Sequence, residues 1–351
     1  ALLANAGKRV LMLEAHDIPG GYAQSFAWGD YFFCGQVHYI WGCGPGGKIY
    51  EFLKKIGLEK EITFNLYDPD AYDIMAMPDG KKIGIPYGWE RLAVHIEEAY
   101  PGQGDKVRKF TNIIKKIRGE VAIFPERKIK WWEFLFKAHK FGALIKYRNK
   151  TVQDVFNECG LSIEVQTVLA ASAGDFMAPP KTLSIFAYVS LMAGYNGGAY
   201  YPTKHYKFYI DRIVEFIEEH RGSRILYRAE VSAIETSGDK VTTVKTKDGR
   251  SFSAKTIICN MDPQCAAEMI GLDKFDDSFK KKLNYTYSPS GAMIYLGLKD
   301  IDLKKYGFGR HNVWHCEDWD MNKMWENQKN GNFEKPWIFI STPTLHTNEP
   351  G

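Results

Sequence analysis

Cysteine is scarce and unpatterned in this 351-residue sequence: Cys34, Cys43, Cys159, Cys259, Cys265 and Cys316 contain no C-x-x-C pair. That spacing signals neither a zinc site nor a disulfide framework, so no metal is expected and a reducing, cytoplasmic compartment is. Long hydrophobic runs are missing too. No stretch reaches the roughly 20 uninterrupted apolar residues of a spanning helix. Neither sign of charge dominates: 46 Lys and Arg against 42 Asp and Glu leave +4 over the whole length, too weak a field to make nucleic acid the expected partner. There are no internal repeats and no low-complexity tract. What is there is a globular balance, 45% hydrophobic and 25% charged, which excludes disorder, in a chain long enough for two domains. The aromatic share, 14%, suits a large apolar cavity and a packed core equally well.

Residues 1–7 read as a short helical remainder stopped at Gly7, and Lys8 to Glu14 as an apolar strand ending in an acid. Helix, glycine, strand and acid form the later part of a dinucleotide-binding unit. There the acid after the second strand takes the ribose hydroxyls, about 20 residues beyond a Gly-rich turn. Counting back from Glu14 puts that turn upstream of Ala1. Glu14 is thus a ribose ligand or a solvated strand-end acid. The segment that follows, Glu14-Ala15-His16-Asp17-Ile18-Pro19-Gly20-Gly21, adds a glycine pair, which lets backbone approach a bulky group with no Cβ in the way.

Glu14 to Gly21, the aromatic run Tyr31-Phe32-Phe33 and Val37-His38-Tyr39-Ile40 together resemble the phytoene desaturase, carotenoid isomerase and retinol saturase family of flavoproteins, within the amine-oxidase-like superfamily. The resemblance continues through residues 151–164, Met177-Ala178-Pro179-Pro180, Gly197 to Pro202, the amphipathic helix His205 to His220, and a β-meander of Ile225–Thr236, Lys240–Thr246 and Ser251–Asn260. It implies an α/β fold: an FAD-binding Rossmann-like domain, with parallel sheet and meander, and an interleaved α+β substrate domain. The implied boundaries are 1–65 and 198–263 for the first, 66–197 and 264–351 for the second. FAD is the implied cofactor, held by Glu14, Ala15, Gly20, Gly21, Val231 and Asn260. Ser341 to Gly351 resembles the loop before the family's last flavin-contacting segment, so the chain reads as an internal piece of a longer flavoprotein.

Several positions depart from the family. Cys34 stands where an Asp is usual and Gln36 where a Gly is, and Pro202-Thr203-Lys204-His205 replaces a Pro-x-Gly-Gly turn. His38 invites an acid/base role but sits in an apolar strand, where a wall histidine is the plainer reading. His38, Tyr39, Phe176 and Tyr195 are expected to line the substrate. Lys128 to Arg148 interleaves aromatic and basic residues, as a helix on an anionic bilayer does, or as a half-buried linking helix does. Gly42 to Gly47 reads as a turn into a helix over 48–56 rather than a phosphate cradle, since it lacks the Lys-Ser/Thr end of such a loop.

The function expected from the resemblance is flavin-dependent desaturation, saturation or isomerisation of C=C bonds in an apolar, polyene or isoprenoid-like substrate. The alternatives are a flavin amine oxidase and a non-redox lipid- or prenyl-binding protein like the GDP-dissociation inhibitors, which share the fold. A cytoplasmic protein, peripheral on a membrane through Lys128 to Arg148, fits the first.

Overall fold

The computed structural model describes residues 1–125, 127, 132, 137–288 and 290–348, and the chain forms two compact units. The first takes Ala1–Phe26, Cys34–Gln36 and Tyr206–Tyr287, and the second takes Ala27–Phe33, Val37–His205 and the chain from Ser288 onward. Parallel and antiparallel sheets alternate with helices, an α/β architecture.

In the first unit the strand predicted over 8–14 shortens to Leu11–Leu13, paired in parallel with Arg224–Leu226. The predicted strand 225–236 is two strands. Arg228, at φ +48°, turns the chain between Arg224–Leu226 and Val231–Ser237, so only the second belongs to the meander with Lys240–Thr246 and Ser251–Phe252. Gly238, at φ +57°, makes the first hairpin turn. The third meander strand stops at Phe252 instead of running to Asn260. Residues 253–262 pair with no strand among the described residues, and Ile258 is 72% exposed. A strand persists only where a partner takes its backbone N–H and C=O groups.

In the second unit a hairpin forms from Asp73–Ala76 and Lys82–Ile85, turning at Gly80 (φ +82°). Alternation along Asp73–Ala76 buries Asp73 and Met75 on one face. Asn312–Cys316 lies parallel to this strand with Asn312 opposite Asp73, and antiparallel to Trp337–Ile340. A second sheet joins Ile40–Trp41, Ala199–Pro202 and Phe64–Leu66. The helical side is centred on Phe110, Phe156 and Tyr188, whose ring centroids lie 5.1 and 5.9 Å from Phe110. Local signals set the helix ends: Lys48–Ile56 stops at left-handed Gly57, and Val152–Cys159 opens with a Thr151–Asp154 capping box. The Gly42 carbonyl accepts the N–H groups of Ile49 and Tyr50, so the Gly-rich turn folds onto the helix start that an anion would otherwise occupy. The apolar stretch 291–298 forms no strand, and Ile294 there is 86% exposed.

Within Lys128 to Arg148, residues 128–131 and 133–136 lie outside the described residues. The described remainder includes a tight turn, Ala138–Lys140, and a helix, Gly142–Tyr147. Among the described residues no helix is long and apolar enough to cross a membrane. The last three residues of the Ser341 to Gly351 stretch also lie outside the description.

Candidate functional site

Each unit holds some of the residues expected to form a site. In the first, Glu14 follows the strand Leu11–Leu13. Its N–H donates to Leu226 O at 2.8 Å and its carbonyl accepts Ala229 N–H at 2.8 Å, which brings Val231 within two residues of the same strand end. Carboxyl ends of parallel strands are where such folds bind nucleotides. The Glu14 carboxylate takes one local donor, His16 N–H to Oε1 at 2.8 Å, and Oε2 takes none among the described residues. Ala15 is exposed beside it. The loop is tied back by Asp17 accepting from Arg228 at 3.1 Å. Gly20 (φ +113°) and Gly21 (φ +56°) turn the chain. A Cβ on Gly20 would stand 3.0 Å from Gln24 N, whereas one on Gly21 would meet nothing within 4 Å. Asn260 is exposed and lies outside any strand.

In the second unit three of the four predicted substrate-lining residues meet. Tyr39 stacks on Tyr195, His38 and Tyr39 both pack against Phe339 (centroids 5.1 and 5.9 Å), and Tyr67 continues the stack to His346 at 4.2 Å. Phe176 is half-buried next to Asp175 and makes no ring contact among the described residues. Burial lowers the His38 imidazole to about 4 and the His346 imidazole to about 3, so both are neutral at pH 7.

Two acids outside the expected lining set, Asp73 and Asp175, stand beside this aromatic group. The Tyr39 hydroxyl lies 3.2 Å from Asp73 Oδ2 and 3.4 Å from Asp175 Oδ2, and the Tyr195 hydroxyl donates to Asp175 Oδ2 at 3.4 Å. Asn312 Nδ2 donates to Asp73 Oδ1 at 3.3 Å. Among the described residues neither carboxyl has a cation in ion-pairing reach. Burial, then the charge of Asp175, pushes Asp73 well above the carboxylate range, and burial pushes Asp175 up to about 7. Asp73 is wholly enclosed whereas part of Asp175 reaches solvent, so the upward push acts more strongly on Asp73. The signal for Asp73 was an acid in phase with Met75 on a buried strand face. Among the described residues no group of three His, Cys, Asp or Glu is arranged to hold a metal.

The sequence model described as flavin containing amine oxidoreductase matches residues 1–318. The chain belongs to that family. Within this flavin-containing amine oxidoreductase family, it is 23% identical to the all-trans-retinol 13,14-reductase of Danio rerio over 98% of this chain and 59% of that one. It is 23% identical to prolycopene isomerase 1, chloroplastic, of an Oncidium hybrid cultivar over 98% of this chain and 58% of that one. The chain therefore spans less than two thirds of the length of these relatives. The PF1083 protein of Pyrococcus furiosus shares the fold, with a TM-score of 0.59 and 17% identity over 97% of this chain and 76% of that one.

Membership in the flavin-containing family carries FAD as the cofactor, and the residues present fit it. The open Glu14 Oε2 suits a ribose hydroxyl, and a side chain at Gly20 would crowd its own turn. Two departures have structural readings. Cys34 is 3% exposed, so a small neutral thiol fills a closed site where the family's Asp would need a partner. His205 sits at φ +70°, a left-handed backbone that a glycine would adopt without strain.

Proposed function

We propose that this chain is the greater part of an FAD-dependent oxidoreductase acting on C=C bonds of an apolar, conjugated, isoprenoid-like substrate, by saturation, desaturation or isomerisation. The observation that carries the reading is that relatives matched over 98% of the chain are named for a retinol reductase and a prolycopene isomerase, both polyene reactions. The aromatic wall of His38, Tyr39 and Tyr195, with Phe176 near it, supports an apolar substrate.

In this reading residues 1–65 and 198–263 serve the nucleotide and 66–197 with 264–351 serve the substrate. Glu14 takes ribose hydroxyls, Gly20 and Gly21 let backbone close on the cofactor with Ala15 beside them, and Val231 and Asn260 complete its cradle. When bound, the flavin supplies the hydride exchange. The chain's own residues bind, orient and exclude water. The basic, aromatic stretch 128–148 rests on an anionic membrane that delivers the substrate, which vesicle flotation at low and high salt tests.

The deciding experiment is the visible spectrum of the full-length protein before and after denaturation, followed by anaerobic mixing with polyenes and with amines. Released FAD and spectral change with polyenes alone support the reading. Change with amines alone replaces it by amine oxidation. A protein that stays colourless after reconstitution replaces it by lipid carriage.

A further inference from the structure

The helix Gly104–Ala122 buries Val107, Phe110, Ile114 and Ile117, a stripe at three- and four-residue steps, and Val121 is next in phase. Val121 is nevertheless 54% exposed, and Ile123 and Phe124 beyond the helix end are 59% and 41% exposed. Phe124 packs its ring against Phe141, centroids 5.2 Å apart, which covers only part of it. The helix thus carries its apolar face past the core. Charge gathers in the same segment. Residues 115–150 hold 11 Lys and Arg against three Asp and Glu, a net +8 in a chain of +4, so all the rest sums to −4. Lys115, Lys116, Lys137 and Lys140 are exposed, and none has an ion pair among the described residues. Lys116 lies about 8 Å along the helix from Val121 at about 1.5 Å per residue. Lys140 adjoins Phe141, on which Phe124 packs. Glu120, the acid nearest the tip, is occupied within the fold: its carboxylate oxygens accept the N–H groups of Ala143 at 3.0 Å and Leu144 at 2.8 Å.

We infer that Val121, Ile123 and Phe124 insert into the interface of an anionic phospholipid bilayer while Lys115, Lys116, Lys137 and Lys140 contact its headgroups. The inference rests on the membrane contact of the reading above and deepens it, adding to the charge of 128–148 an apolar tip at the end of Gly104–Ala122. Neither signal suffices alone. A few apolar groups hold a bilayer weakly, and lysines are screened by salt beyond about 10 Å at about 0.1 M. Together they make a two-signal anchor. The opposite charge balance of the two parts of the chain also orients it, since an anionic surface attracts this segment and repels the remainder. Nucleic acid would satisfy the lysines but not the tip, because bases are met by stacking rings and polar groups, not by aliphatic side chains such as Val121 and Ile123. A polyene partitions into the same bilayer, so the anchor holds the protein where an apolar substrate is concentrated.

The test is flotation of the full-length protein with vesicles of phosphatidylcholine alone and of phosphatidylcholine mixed with phosphatidylserine, at low and high salt. Wild type should float with the mixed vesicles and hardly at all with the neutral ones, and amide hydrogen exchange over 119–125 should slow on the mixed vesicles only. Lys116→Gln combined with Lys140→Gln should weaken binding about 30-fold at low salt, the worth of two cations at an anionic surface. Ile123→Asp should weaken it about 10-fold at either salt, with an unchanged circular dichroism spectrum. Equal flotation with neutral vesicles, or binding that Ile123→Asp leaves intact, overturns the anchor. So does capture by single-stranded DNA without flotation, or a doubled mass in solution that Ile123→Asp abolishes, which would make the tip a contact between two copies. Turnover of a detergent-dispersed polyene should be the same in wild type and Ile123→Asp. Its absence from both sinks the polyene reading while flotation still decides the anchor.

Discussion

Tyr39 and Tyr195 lie face to face, ring centroids 4.1 Å apart and planes 4° from parallel, and both hydroxyls reach the same atom, Asp175 Oδ2, at 3.4 Å. The stack fixes the rings, and the rings hold the carboxylate. Packing and polar chemistry at this place are therefore one arrangement, and they can be separated by substitution.

Tyr195→Ala removes a buried ring and should cost about 3–5 kcal/mol, whereas Tyr195→Phe keeps the stack and should cost about 1 kcal/mol. Urea denaturation of the two variants checks this. Equal losses would mean that the hydroxyl, not the ring, holds the site.

A methyl group at Gly174 would meet the Trp314 ring and stand 3.1 Å from Trp337. Because Trp314 also packs on Phe339 at 4.6 Å, crowding there should spread into the aromatic wall. Gly174→Ala is expected to destabilise by about 1–3 kcal/mol and to change tryptophan fluorescence. An unchanged emission spectrum would contradict the contact.

Stability should fall on both sides of a maximum. His38 and His346 have folded values lowered from 6.5 to about 4 and about 3, so their contribution is present above pH 6.5 and lost as pH falls toward those values. Asp73 is raised by burial, so its contribution is present below the ordinary carboxylate value and lost as pH rises through the folded one. Asp73→Asn should therefore flatten the alkaline side, where one proton changes stability by up to about 1.4 kcal/mol per pH unit. Denaturant midpoints of wild type and variant from pH 4 to pH 9 test the sign. A wild type whose stability rises with pH, with Asp73→Asn parallel to it, would show Asp73 ionised.

His205 holds a left-handed backbone at φ +70°, which costs a side-chain-bearing residue about 1 kcal/mol. His205→Gly should raise the thermal midpoint. A fall would mean that the T-shaped contact of the His205 ring with Tyr201, at 6.0 Å, outweighs the strain.

Glu14→Gln should weaken flavin affinity of the full-length protein about 10-fold, the worth of one charge-assisted hydrogen bond. Equilibrium dialysis measures it. Unaltered affinity would return Glu14 to the status of a solvated strand-end acid.

What the sequence by itself determined is local. Gly57 ends the helix Lys48–Ile56, Thr151 and Asp154 cap Val152–Cys159, and Gly80 and Gly238 turn hairpins, because each acts on a backbone a few residues away. The glycine pair and Glu14 were legible for the same reason. Strands were legible only where a partner arrived: 257–260 and 291–298 are as apolar as any paired strand and pair with none among the described residues. The acid pair could not be read in advance. Asp73 meets Asn312 across 239 positions and Tyr39 meets Asp175 across 136. Only the parallel pairing of Asn312–Cys316 with Asp73–Ala76, and the stacking of Tyr39 on Tyr195, put two carboxyls against one hydroxyl, with no cation among the described residues in ion-pairing reach. Composition and spacing carry no record of which buried face an acid will share, since that is decided by long-range pairing and by what the closed interior excludes.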